Sequence, residues 1–118
     1  MTTVVDDILA VLQTAAPAGG VWYATNTQTP PTYPYATFIR ITSQATNDLQ
    51  GKANLQNTNV QLDVFGRNQT EAMTAHAALE AALLGSGLTI VALSSIDMYE
   101  DEVRAYRISS DWSVWATN

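Results

Sequence analysis

The stretch NVQLDVF sets Val60, Leu62 and Val64 at alternate positions, with Gln61, Asp63 and Phe65 between them. Side chains of an extended chain point to opposite faces with a period of two, so this alternation demands a sheet with one covered face. Something must cover it. The next stretch, GRNQTEAMTAHAALEAALLGSG, reads as a helix whose Ala72, Ala75, Leu79, Ala82 and Leu83 make a small-residue face able to lie close on a sheet. Asn68 stands three residues before Glu71, the spacing of a capping box, and Gly85 and Gly87 end the helix.

The same periods sort the rest of the chain. Val4, Val5, Ile8, Leu9, Val11, Leu12 and Ala15 form an apolar stripe at helical spacing. Thr3 is placed to cap that helix, Asp6 and Asp7 favour its first turn, and Pro17 with Gly19 and Gly20 closes it. VWY at 21–23 reads as a short strand. ATNTQTPPT then cannot build a core, whereas YPYATFIRI commits abruptly to an extended chain. Tyr35, Thr37, Ile39 and Ile41 share one face there, with Phe38 and Arg40 on the other. Residues 45–58 are rich in turn formers and predict a long hairpin with a solvated tip near Asn47 to Lys52. LTIVALSSIDMY is a further strand, EDEV an acidic turn, and RAYRISSDWSVWAT alternates throughout. Tyr106, Ile108, Ser110, Trp112 and Val114 fall on one face of that last strand, and Arg107, Ser109, Asp111, Ser113 and Trp115 on the other. The expected architecture is an α+β fold: one antiparallel sheet of about four strands carrying two helices, with long projecting loops, as a single domain over residues 1–118.

Composition narrows the function. The chain is 47% apolar and only 14% charged, so its polar surface is built mainly from Thr, Ser, Asn and Gln, groups cheaper to desolvate than ions. Its net charge is −6, and Arg40, Lys52, Arg67, Arg104 and Arg107 are scattered rather than clustered, which argues against gripping a phosphate backbone. There is no cysteine, hence no disulfide framework and no thiolate metal site. No apolar run reaches the length of a membrane span and no signal-peptide pattern opens the chain, so a soluble protein made in a cytoplasm is the expectation.

Catalytic chemistry finds no constellation to work with. His76 is the sole histidine, and its place at the margin of the alanine-rich helix face fits a structural role. Ser86 lies between glycines without the strand-turn-helix context of a nucleophile elbow. Asp97, Glu100, Asp101 and Glu102 lack the glycine and the ligand spacing of a calcium loop and read as a solvated turn. Neither an enzyme nor a cofactor site is expected. Phe65 and Trp115 are more informative, because both fall opposite their strand's main apolar set. Either the sheet is covered on both sides, or one face is an interface.

Three segments in order, YPYATFIRI after a polar loop, NVQLDVFGRNQTEAMTAHAALEAAL, and YEDEVRAYRISSDWSVWA closing the chain, resemble the small tail-completion and tail-terminator proteins of long-tailed bacteriophages. The resemblance implies a non-catalytic α+β subunit in the virion, assembled in the host cytoplasm. It implies a ring, usually of six copies, at the head-proximal end of the tail tube. Such a ring stops tube polymerisation and offers a docking surface to the head-tail connector and neck proteins. DNA passes through the lumen, and the net negative charge suits a channel that must not hold phosphates. On that reading the polar loop and the hairpin are projections toward a neighbour, the tail tube protein or the connector. Thr29 and Tyr33 in the loop, and Asn47, Asp48, Gln50, Lys52 and Asn54 in the hairpin, become candidate contacts. Phe65 and Trp115 on the sheet and Glu100 and Asp101 in the acidic turn join them. A head-side neck or stopper protein, and a small cellular α+β ligand-binding domain using the polar loop as a lid, are the competing readings.

Overall fold

The computed structural model describes residues 4–27, 31–47, 54–101 and 104–117, with the backbone alone for 42–47, 54–56 and 116–117. In chain order these form α1 (Val4–Gln13), β1 (Val21–Tyr23), β2 (Tyr35–Asn47), β3 (Asn54–Gly66), α2 (Gln69–Leu84), β4 (Thr89–Glu100) and β5 (Ala105–Thr117). The strands make one sheet in the order β1-β2-β3-β5-β4.

The expectation of about four antiparallel strands is corrected on one point. The sheet has five strands and is mixed, because β1 pairs parallel to β2 with Val21 opposite Ala36 and Tyr23 opposite Phe38. A parallel neighbour needs a connection that returns the chain to the strand's starting end. The polar segment between Tyr23 and Tyr35 is that connection, so part of its purpose is topological. Ala24 turns away from β1 with φ 68°, and Ala24 N–H donates to Phe38 O at 2.8 Å while Ala36 N–H donates to Gly20 O at 3.0 Å. β2 starts only at Tyr35; Tyr33 and Pro34 form a bend joined by a cis peptide instead of an extended lead-in.

Both helices lie on the same face of the sheet. Ile8 and Leu12 of α1 and Ala75, Leu79 and Leu83 of α2 close over Ala36, Phe38, Val60, Leu62, Val64, Trp112 and Val114. The alternation read for β3 and β5 holds for Val60, Leu62, Val64, Ile108, Ser110, Trp112 and Val114, all below a tenth exposed; Tyr106, grouped with them, is 37% exposed, and Asp63, placed opposite, is buried. In β2 the face under the helices is that of Ala36 and Phe38, and a bulge between Arg40 and Thr42 interrupts the alternation, leaving Ile41 53% exposed. α2 begins as expected. Asn68 Oδ1 accepts from Glu71 N–H at 2.8 Å, and Glu71 Oε1 accepts in return from Arg67 N–H at 3.0 Å, one residue earlier than a capping box strictly requires. The proposed cap Thr3 lies outside the described residues.

Candidate functional site

With both helices on one side, no helix among the described residues covers the other face of the sheet. Phe65 and Arg107, which sequence alternation set opposite the main apolar residues of their strands, come into register with Tyr35 of β2 and Met98 of β4 in a single cross-strand row. Tyr35 and Phe65 stack with centroids 4.8 Å apart, and the Arg107 guanidinium sits 5.6 Å over the Phe65 ring. Arg107 Nε reaches Asp63 Oδ1 at 3.2 Å and Nη1 reaches Glu100 Oε1 at 2.8 Å, while Gln61 donates to both oxygens of Asp63. Burial works against the Arg107 charge, but the hydrogen bonds it donates to Glu100 and Asp63 outweigh it and raise the guanidinium pKa further. Tyr35 is pushed up by burial, then by Tyr33, with Arg107 opposing. At the far end of the row Tyr33 meets Tyr35 at 5.4 Å and Arg67 lies 5.9 Å from the Tyr33 ring. This network ties four strands together at one end of that face, with the Arg107 guanidinium held between two carboxylates.

The sheet edges differ. β4 is bare along its outer side, and Val91, Leu93, Ile96 and Tyr99 on it are each at least half exposed. At the opposite edge β1 pairs only with the beginning of β2; beyond Phe38 no further strand lies on that side among the described residues, and the Arg40 N–H donates to the Tyr23 hydroxyl at 3.4 Å. Long apolar edges are avoided in proteins that stay alone, because unpaired N–H and C=O groups template pairing with another chain.

His76 takes no part in either surface. Its imidazole is buried under α2, with Nε2 3.2 Å from Ser110 Oγ and Nδ1 3.6 Å from Glu80 Oε2. Burial lowers its pKa from 6.5, against partial opposition from Glu80 and Asp97. Below about pH 6.5 the unfolded chain therefore binds a proton that the folded chain resists, so this group makes folding less favourable as pH falls and contributes nothing above neutrality. The His76→Gln variant is expected to show a shallower loss of melting temperature between about pH 7 and 5. An unchanged pH profile in that variant would assign acid sensitivity to the carboxylates instead.

The sequence-nominated contacts separate into two groups. Tyr33, Phe65 and Glu100 are drawn together through Tyr35 and Arg107. Asn47 and Asn54 form the last described rung of the β2–β3 hairpin at the other end, where Trp115, 38% exposed on the uncovered face, stands opposite Asn57 and Thr89. Asp101 is exposed in the turn after β4. Thr29, Asp48, Gln50 and Lys52 lie outside the described residues. Sequence reading missed the Arg107 hub and the apolar β4 edge. The first was visible only as charges of opposite sign at outward positions of two strands, and the second only once β4 was known to be the end of the strand order.

Among the described residues, a cleft of about 230 Å³ lies between α2 and the β4–β5 end, lined by Gln69, Ala72, Asp97, Met98, Tyr99, Tyr106, Arg107 and Ile108; another, about 510 Å³, is a shallow groove between the end of α1 and α2. Among the described residues no three His, Asp or Glu side chains are grouped to hold a metal ion, and no helix is long and apolar enough to cross a membrane.

Residues 4–117 match the family described as tail completion protein gp17. A chain of the solved structure titled "Virion of native gene transfer agent (GTA) particle" has a similar fold, with TM-score 0.64 and 16% identity over 94% of this chain and 84% of that one. No curated protein matches significantly.

Proposed function

The chain belongs to the tail completion protein gp17 family, and from that premise we propose that it is a ring subunit at the head-proximal end of a phage tail tube. The ring, of six copies, ends tube polymerisation and presents the docking surface for the head-tail connector and neck proteins. The protein resides in the virion and performs no catalysis. The match along residues 4–117 is the observation that carries this reading. Likeness in fold to a chain from a virion-like particle supports it, as do a bare β4 edge and an uncovered sheet face that a solitary subunit has no use for. Its net charge of −6 suits a lumen along which DNA slides.

Mass in solution across a range of concentrations, with and without isolated tail tubes, tests the proposal. A six-fold ring, or a monomer that becomes one on tube ends, is the expected result. A monomer indifferent to tubes overturns it.

The hairpin tip supplies a second test. β3 is paired to β5 from Leu55 onward, and Asn57 Nδ2 donates to Ser113 Oγ at 2.7 Å, so cutting back to Asn57 would damage the sheet itself. Replacing residues 48–53 by Asn-Gly keeps the Asn47–Asn54 rung and closes it with a two-residue turn suited to antiparallel strands. That variant is expected to melt within a few degrees of the parent and to lose tube binding. Retained capping of tubes would remove the tip from the contact.

A further inference from the structure

Resting on the ring reading, we infer that neighbouring copies join by continuing the sheet: the β4 edge of one subunit pairs antiparallel with the β2 edge of the next. Three features of the two edges fit one another. The first is direction. β2 is antiparallel to β3, β3 to β5 and β5 to β4, so β4 runs opposite to β2. Rotation about a ring axis lying along the strands preserves that relation, and the two edges meet as antiparallel partners in a head-to-tail contact that closes.

The second is charge. Arg40, exposed on β2, and Asp97, exposed on β4, have no ion-pair partner among the described residues. Both stand on the helix side of the sheet, because Arg40 is opposite Val60 and Asp97 opposite Ile108, residues of the covered face. In a continued sheet they therefore project to the same side and can face one another.

The third is length. The register that sets Asp97 against Arg40 sets Ile96 against Ile41, two of the most exposed apolar residues at 59% and 53%. It also sets Met98 against Ile39, the first β2 residue that β1 leaves free, and Ile90 against Asn47, the last residue of β2. This pairing uses Ile39–Asn47 of β2, the run beyond β1, and Ile90–Met98 of the 12-residue β4. The last two residues of β4, Tyr99 and Glu100, would fall beside Phe38 and Thr37, which β1 already pairs, so the joint ends at Met98 and these two residues turn aside from β1. Apolar edge residues that are a liability in the free chain become buried, and the pairing that would otherwise aggregate copies is used up in closing the ring.

The chain has no cysteine, so engineered cysteines report the contact cleanly. Under mild oxidation on tail tubes, the Ile41→Cys/Ile96→Cys double variant is expected to give a disulfide-linked ladder up to the full ring, and each single variant none. Arg40→Asp and Asp97→Arg are each expected to raise the concentration for half-assembly by about tenfold or more, and the double exchange to restore it. Melting temperatures of the unassembled variants check that each is folded. A covalent dimer from Ile96→Cys alone would replace this contact by a two-fold β4–β4 pairing. A ring of normal mass with no ladder, and with both charge variants assembling normally, would overturn the edge pairing and leave the ring standing. No mass above monomer in the parent protein, with or without tubes, would overturn both.

Discussion

Trp112→Ala is expected to remove about 3–5 kcal/mol of folding stability, the usual cost of truncating a buried tryptophan. Trp112 is the largest fully buried side chain, 1% exposed, between Val60 of β3 and Ala92 of β4 in the sheet and beneath α2. Its loss has two parts. The apolar area goes, and the space it filled cannot collapse easily because strands on both sides hold the backbone apart. The polar part is separate: the indole N–H donates to Ser110 Oγ at 2.9 Å, and that hydroxyl also lies against His76 Nε2 and Leu62 O. Trp112→Phe keeps most of the ring volume while removing the donor and part of the bicycle, so it should fall between the parent and alanine. Urea unfolding measures all three. A loss below about 1 kcal/mol for alanine would mean that the core does not centre on this residue.

Trp115 is the internal control. It stands three residues further along the same strand, on the face without helices, and keeps 38% of its surface exposed. Its replacement by alanine should cost the monomer less than about 1 kcal/mol and weaken association more than folding. A large fall in melting temperature with unchanged association would place Trp115 in the monomer's own core.

The two tryptophans also show what the sequence could disclose. Period-two alternation in NVQLDVF and RISSDWSVW sorted Val60, Leu62, Val64, Trp112 and Val114 onto one face, and those residues are buried. It did so because burial of one sheet face is a local rule, readable without knowing the partner strands. Helix ends were legible for the same reason, since Asn68 and Gly85 act within one turn. The parallel β1 was not, because three residues carry no period and pairing direction depends on a return path that sequence does not draw. Nor was the β2 bulge, so Ile41 was grouped with Thr37 and Ile39 on a strict count of two. The candidate site was legible only in part. Phe65 and Trp115 were marked by falling on the wrong face for core, whereas the Arg107 bridge to Asp63 and Glu100 required the register of three strands.

Gly66→Ala is the second change with a large expected effect, and its reason is purely steric. A Cβ on Gly66 would stand 2.6 Å from Ala72 N, 3.0 Å from Ala72 Cα and 3.1 Å from Ala72 Cβ. Gly66 ends β3 opposite Tyr106, and within a few residues the chain has turned and laid the first turns of α2 back over the same strand. Ala72, 0% exposed, touches the sheet there, so the missing side chain on Gly66 and the small one on Ala72 together set how closely helix and sheet approach. Adding one methyl group must shift the helix rather than a flexible side chain, because the nearest atom is backbone. Overpacking of this kind costs about 1–3 kcal/mol, and the upper end is expected here because Leu79 and Leu83 are carried on the same rigid helix. A second substitution separates the causes. If the clash is with the helix backbone, Ala72→Gly will not restore Gly66→Ala, since the 2.6 Å contact to the amide nitrogen survives it. Full rescue would show instead that only the two methyl groups compete, and that α2 can settle closer to the sheet than its backbone placement implies.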